Sequence, residues 1–136
     1  MVMFMIAIFL AFSTGSSWGT FAILIPIVTA IFSGGGNMEM MVISISAVLA
    51  GAVCGDHVSP ISDTTIMSSA GAQCHHIDHV STQMQYALVV AIVCVFGYLI
   101  AGFVQVWWIV LLISVAVLLT TLTIMRKYVN KKHLKK

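Results

Sequence analysis

Charge is what this sequence lacks most. Only 7% of its 136 residues are Asp, Glu, Lys or Arg, while 60% are hydrophobic; a soluble globular domain carries about 25% charged residues. The scarcity is uneven. All six basic residues (Arg126, Lys127, Lys131, Lys132, Lys135 and Lys136) follow Met125, and the chain before them holds four acids, Glu39, Asp56, Asp63 and Asp78. With no basic patch available for a folded surface, a nucleic-acid binder is excluded. With so little polarity, a disordered chain is excluded too. Cysteine is nearly as scarce. Cys54, Cys74 and Cys94 are too few and too scattered for a disulfide framework or a CxxC zinc pattern, and read as small apolar fillers. What remains is an integral membrane protein. The opening run MVMFMIAIFLAF has no basic residue before it and an equally apolar segment soon after it, which separates it from a cleaved signal peptide.

A helix needs about 20 apolar residues to cross a ~30 Å hydrocarbon core. Gln85–Val104 and Gln105–Met125 meet this with no charge, and Trp107 and Trp108 sit where interfacial aromatics do. The other two apolar regions are interrupted. MVMFMIAIFLAF and FAILIPIVTAIF are separated by STGSSWGT (Ser13–Thr20). MVISISAVLAGAVC and IMSSAGA are separated by GDHVSPISDTT (Gly55–Thr65). Each arm is read as about half a span. Gly34, Gly35, Gly36 and Asn37 form the turn between the two regions, and Cys74–Met84 is read as a polar connector. The expectation is an all-α, polytopic membrane protein. It has two full transmembrane helices preceded by two interrupted helices, or by a re-entrant hairpin with its tip at Ser13–Thr20 and one broken helix. Residues 1–125 form the membrane domain and residues 126–136 a basic tail. Lys and Arg near a span favour the cytoplasm, so the C-terminus is expected inside. The Cys74–Met84 segment is then also inside, and the turns near Gly34 and Gly102 are outside.

Two short broken motifs in corresponding positions point to a substrate site at the membrane midplane. Non-helical backbone survives there only when buried in protein or lining a wet cavity, so the two breaks are expected to face one another. Asp56 and Asp63 are the carboxylates at membrane depth. An ionised Asp at a helix centre costs about 2.5–3.5 kcal/mol on insertion scales, and no Lys or Arg before Arg126 can pair with it. Hydrogen bonds, a bound cation or a bound proton must stabilise it. Proton and cation then compete for the same oxygens, which is the elementary requirement of a cation/H+ exchanger. Pro60 removes an N–H and disfavours a helical Ser59, which frees carbonyls for a hard cation such as Na+. Asp63 has a second reading as a cap of the half-helix that follows. Ser13, Thr14, Ser16, Ser17 and Thr20 supply hydroxyls in the first break. Ser, Thr and Gly also line ordinary membrane helix contacts.

Four further features carry less. The CHHIDH cluster (Cys74–His79) has metal-ligating composition, with His75 and His79 aligned on a helix. Its spacing fits no structural zinc pattern, which favours an interfacial loop with titrating histidines. Asp56, His57 and Ser59 have triad composition, but near-consecutive residues rarely converge as a triad must, so no enzyme is read here and no cofactor is implied. Glu39 is solvated, and Lys131–Lys136 is a solvated tail touching anionic lipid.

The runs STGSSWGTFAILIPI and, more specifically, GDHVSPISDTTIMSSAGAQCHHIDHVSTQMQYA resemble the C-terminal part of the NhaC-type Na+/H+ antiporter family, over residues 13–87. Residues 88–136 match only as generic spans. The resemblance implies a transport domain of re-entrant hairpins and broken helices, working by alternating access and often dimeric. It also implies that the intact protein has more spans than this chain holds. At 14.7 kDa the chain is expected to be one piece, cut or re-initiated at Met1, with a missing N-terminal half or a homodimer partner carrying the other side of the site. Residue by residue, the implied cation-site positions are Ser13, Thr14, Ser16, Ser17 and Thr20 in the first motif and Asp56, Ser59, Ser62, Asp63 and Thr64 in the second. The function expected is exchange of Na+ for H+ across a bacterial inner membrane. Some members of the family exchange organic acids as well, and the alternatives are a Na+-coupled organic-anion exchanger and an inactive fragment.

Overall fold

The computed structural model describes residues 1–35 and 37–133, with side chains through Lys127. Six helices occur among the described residues: α1 (Val2–Thr14), α2 (Ser17–Phe32), α3 (Met38–Val58), α4 (Asp63–Gly71), α5 (His76–Val104) and α6 (Trp107–His133). Of the glycine turn, Gly36 lies outside the described residues. Of the basic tail, Leu134–Lys136 and the side chains from Tyr128 onward do too. The backbone of α6 carries the helix on to His133.

Local chemistry sets the boundaries. α1 stops at Gly15, whose left-handed backbone (φ 65°) lets its N–H close on the Ala11 carbonyl, a conformation glycine adopts without steric cost. Ser16 then caps α2 by accepting the Gly19 N–H at 3.2 Å. Asn37 caps α3 by accepting the Glu39 N–H at 2.9 Å. At the other end of α3, Ser59 is extended (φ −72°, ψ 128°), as the residue before a proline must be. Gln105 takes a left-handed φ of 46° and ends α5. The stacked rings of Trp107 and Trp108 open α6, centroids 3.5 Å apart.

The centre of the molecule is built on small residues. Gly51 and Gly55 of α3 face Ala7 and Ala11 of α1. A β-carbon at Gly51 would come within 2.9 Å of Ala7 Cβ, and one at Gly55 within 3.0 Å of Ala11 Cβ; each would lie closer still to a carbonyl oxygen, of Phe4 or Ile8. Only glycine permits this approach, the small-xxx-small packing of membrane helices. The pairs Phe4–Gly51, Ile8–Gly55 and Phe12–Ser59 advance together, so α1 and α3 run parallel. Leu24 and Val28 of α2 share one core with Ala7 and Ala11 of α1 and Val48 and Ala52 of α3. α2 therefore folds back beside α1. Of the two alternatives for the first region, the hairpin is the one formed. Its arms of 13 and 16 residues reach only ~20 and ~24 Å, short of a ~30 Å core. α5 packs antiparallel on another side of α3, with Tyr98 against Phe4 (centroids 5.3 Å) and its hydroxyl 3.0 Å from the Ser46 carbonyl. α6 packs on α5, and none of its apolar window is buried.

Met38–Val58, His76–Val104 and Trp107–Lys127 are long and apolar enough to cross a membrane. Three boundaries differ from expectation. α3 is a full span of 21 residues, so its break follows a complete helix rather than halving one. α5 begins at His76, so most of Cys74–Met84 is helix and not connector. Its 29 residues measure ~43 Å, about nine residues beyond a ~30 Å core, which corresponds to the polar stretch read as a loop. Both breaks are shorter than the motifs that announce them: Gly15–Ser16 and Ser59–Ser62. The turns at Asn37 and Gln105 do lie at one end of the bundle, their side chains 3.4 Å apart.

Candidate functional site

The two breaks meet. Ser59, fully buried, donates from its hydroxyl to the Phe12 carbonyl at 2.7 Å. A β-carbon at Gly15 would lie 2.9 Å from the Ile61 carbonyl oxygen. The hairpin tip is thus seated on the α3–α4 break, as facing motifs require.

Asp56 sits in the last turn of α3 and is 8% exposed. Its Oδ1 accepts the Ser62 hydroxyl at 2.7 Å, and Ser62 Oγ lies 2.7 Å from Thr64 Oγ1. This is the carboxylate's one side-chain hydrogen bond among the described residues. A carboxylate has about four acceptor sites, and the carbonyl end of a helix already carries partial negative charge. An ionised Asp56 is therefore short of compensation on the protein side, and residues 1–125 hold no Lys or Arg that could provide it.

Asp63 is different. It is exposed, stands in the first turn of α4, and accepts the Thr64 N–H at 2.8 Å. An acid at a helix N-terminus is favourable without further partners. The cap position belongs to Ser62, and Asp63 stands one residue along.

Four of the five hydroxyls of the first motif are engaged within their own hairpin. Ser13 bonds the Phe9 carbonyl at 2.8 Å, Thr14 the Leu10 carbonyl at 2.9 Å and Thr20 the Ser16 carbonyl at 3.0 Å; Ser16 caps α2. Ser17 opens α2, half-buried. The structure brings together Asp56, Ser62 and Thr64, with Ser59 beside them. Among the described residues it shows no hydrogen bond from Ser13, Thr14, Ser16, Ser17 or Thr20 to Asp56.

Neither peripheral constellation assembles. Ser59 bonds Phe12 and Asp56 bonds Ser62, so no Asp–His–Ser relay forms. His57 lines a separate cavity of about 450 Å3 with Cys54, Gln83 and Tyr86. His75 precedes α5 and lies 3.8 Å from Asp78, both exposed, while His79 meets Ser68 at 3.1 Å. Among the described residues no group of three His, Cys, Asp or Glu could hold a metal ion. Two participants escaped the sequence reading. Thr65, buried, bonds the His57 carbonyl at 3.2 Å, and His76 reaches the Pro60 carbonyl at 2.8 Å. Only the Ser/Thr density of DTTIMSS hinted at the first, and nothing in the histidine cluster distinguished the second.

The model of the Na+/H+ antiporter family matches residues 1–103. The chain belongs to the Na+/H+ antiporter family. That is a family of transporters, not of enzymes, and with its long apolar helices the chain is a multi-pass membrane protein. It is 53% identical over 102 residues to an uncharacterized protein of Haemophilus influenzae, covering 75% of this chain and 20% of that one. It is 30% identical over 91 residues to the malate-2H(+)/Na(+)-lactate antiporter of Bacillus subtilis, covering 67% of this chain and 19% of that one. The chain spans about a fifth of the length of these curated relatives. No solved structure matches it.

Proposed function

We propose that this antiporter chain carries one side of a shared Na+/H+ site, and that the transporter it serves exchanges Na+ for H+ across the cytoplasmic membrane. The observation that carries the reading is Asp56: buried, at the carbonyl end of α3, with one hydroxyl donor and no Lys or Arg partner among the described residues. Burying an unpaired charge is costly, so a cation or a proton must neutralise it. Sodium would take the Asp56 carboxylate together with the Ser62 and Thr64 hydroxyls and carbonyls freed by the break. Ser62 can keep its O–H on Asp56 and still offer a lone pair to the ion. When Na+ leaves, a proton takes its place on the same oxygens. Alternating exposure of the loaded and protonated forms yields antiport.

The hairpin tip closes one flank of this site through Ser59 and Gly15. Ser13, Thr14, Ser16, Ser17 and Thr20 serve the site by shaping that tip and, with a further segment of the transporter or a second copy, by completing the cation shell. Asp63 is the weaker ligand of the two acids. In this reading the basic residues after Met125 favour a cytoplasmic C-terminus. The bilayer, Na+ and H+ are the partners of this reading.

A second reading is favoured by the name of the Bacillus relative: Na+-coupled exchange of an organic acid, with the carboxylate of the cargo facing a half-helix N-terminus such as that of α4. Asp56→Asn in the native transporter tests the first reading. Everted vesicles should lose Na+-driven proton flux, and unchanged flux would remove Asp56 from the mechanism. Counterflow of a labelled organic acid separates the two readings.

A further inference from the structure

Three segments converge on one imidazole that the exchange mechanism does not use. His76 opens α5. Its Nδ1 lies 2.9 Å from Ser69 Oγ on α4, and its Nε2 lies 2.8 Å from the Pro60 carbonyl oxygen in the break. A carbonyl only accepts, so Nε2 carries the proton of that bond. Nδ1 can meet Ser69 in two ways. Neutral, it accepts the Ser69 hydroxyl. Protonated, it donates to Ser69 Oγ while that hydroxyl donates to the Ile66 carbonyl 2.9 Å away. The Nε2–Pro60 bond survives both states, which makes the contact a fixed tie and not a pH switch. The titratable neighbours are occupied elsewhere: His75 faces Asp78, and His79 faces Ser68.

What the tie holds is the centre of the break. Proline offers no N–H, so its carbonyl is the one backbone group at position 60 that a side chain can grip by hydrogen bonding. One residue before it, Ser59 is bonded to the hairpin tip; two residues after it, Ser62 is bonded to Asp56. A break of four residues anchored at both ends and at its middle has little freedom left. Its middle anchor comes from α5, outside the two motifs.

We infer that His76 is a positioning residue for the cation site: its Nε2–H holds the Pro60 carbonyl and so keeps the Ser62 hydroxyl on Asp56. The inference rests on Asp56 as the exchange site.

Two near-isosteric variants test it. Glutamine places an amide N–H near the position of Nε2, and asparagine near that of Nδ1. His76→Gln therefore keeps the Pro60 bond and gives up Ser69; His76→Asn keeps Ser69 and gives up Pro60; His76→Ala gives up both. Initial Na+-driven proton flux is measured against Na+ concentration in vesicles containing the native transporter, normalised to transporter present in the membrane. His76→Asn and His76→Ala should raise the Na+ half-saturation about fivefold, the equilibrium equivalent of one intramolecular hydrogen bond, with the maximal rate preserved. His76→Gln should remain near wild type. A wild-type half-saturation in His76→Asn overturns the inference, as does an equal shift in His76→Gln, or a loss confined to maximal rate. If Asp56→Asn leaves the flux intact, the exchange site itself is wrong; if Asp56→Asn abolishes flux while His76→Asn matches wild type, only the tie is wrong.

Discussion

Gly55→Ala is the substitution whose consequence the packing defines most closely. The added β-carbon would lie 3.0 Å from Ala11 Cβ, whereas carbon atoms pack best at about 3.5–4.0 Å. α1 must therefore retreat by roughly 0.5–1 Å, and by more to clear the Ile8 carbonyl. Phe12 moves with it. The Ser59–Phe12 hydrogen bond, 2.7 Å now, would lengthen to roughly 3.2–3.7 Å, at or past the limit for a useful O–H···O bond. Overpacking of this kind costs about 1–3 kcal/mol, partly offset by the better helix propensity of alanine, about 1 kcal/mol. Gly102→Ala supplies the control, because that helical glycine has nothing within 4 Å of a β-carbon. Thermal unfolding of the purified protein in detergent should rank Gly55→Ala below Gly102→Ala by about the overpacking cost alone. Adding Ser59→Ala gives a double-mutant cycle: its penalty should shrink in the Gly55→Ala background, since the bond is already stretched. The parallel α1–α3 packing is refuted if Gly55→Ala is as stable as Gly102→Ala, or if the Ser59→Ala penalty is undiminished.

The two acids should separate cleanly. Asp63→Asn, at an exposed helix start, should change exchange rate and Na+ half-saturation by no more than about twofold, as surface substitutions do; a loss as complete as that of Asp56→Asn, read by the same vesicle flux assay, would reverse the assignment. Ser62→Ala removes the hydroxyl donated to Asp56, a bond to a charged acceptor worth about 1.5 kcal/mol, and should raise the Na+ half-saturation roughly tenfold with the protein still folded by thermal unfolding.

Much of this architecture was legible in the residues, and the misses have physical causes. The charge-free runs ending at Val104 and Met125 marked two spans, and Pro60 marked the end of α3. The breaks looked longer than they are because a hydroxyl in an apolar helix can bond the carbonyl one turn back. Ser13, Thr14 and Thr20 do so, and a Ser/Thr-rich run is then helix and not break. Gly55 read as the start of an interruption when counted as a helix breaker; with Gly51 at i and i+4 it is a contact face, and Ala7, Ala11 and Gly15 repeat the spacing on the partner helix. The start of α5 was hidden by polarity, since the part of a helix that outruns the bilayer need not be apolar. At the site, buried acid and break were both visible, and their meeting followed from the need to hide irregular backbone. The difference between Asp56 and Asp63 needed geometry: one lies at a carbonyl end under cover, the other at an amide end in the open. His76 was one histidine among several until its two nitrogens had partners.

In the proposed exchange, one carboxylate is shared by Na+ and H+. The most direct test of that sharing is the Na+ half-saturation of exchange in vesicles containing the native transporter, measured as a function of pH on the cation-loading side. Competition for Asp56 predicts that the half-saturation rises as pH falls, approaching tenfold per pH unit once protons dominate, while the maximal rate at saturating Na+ holds. A half-saturation independent of pH, with acid lowering only the maximal rate, would show that the two ions do not share those oxygens.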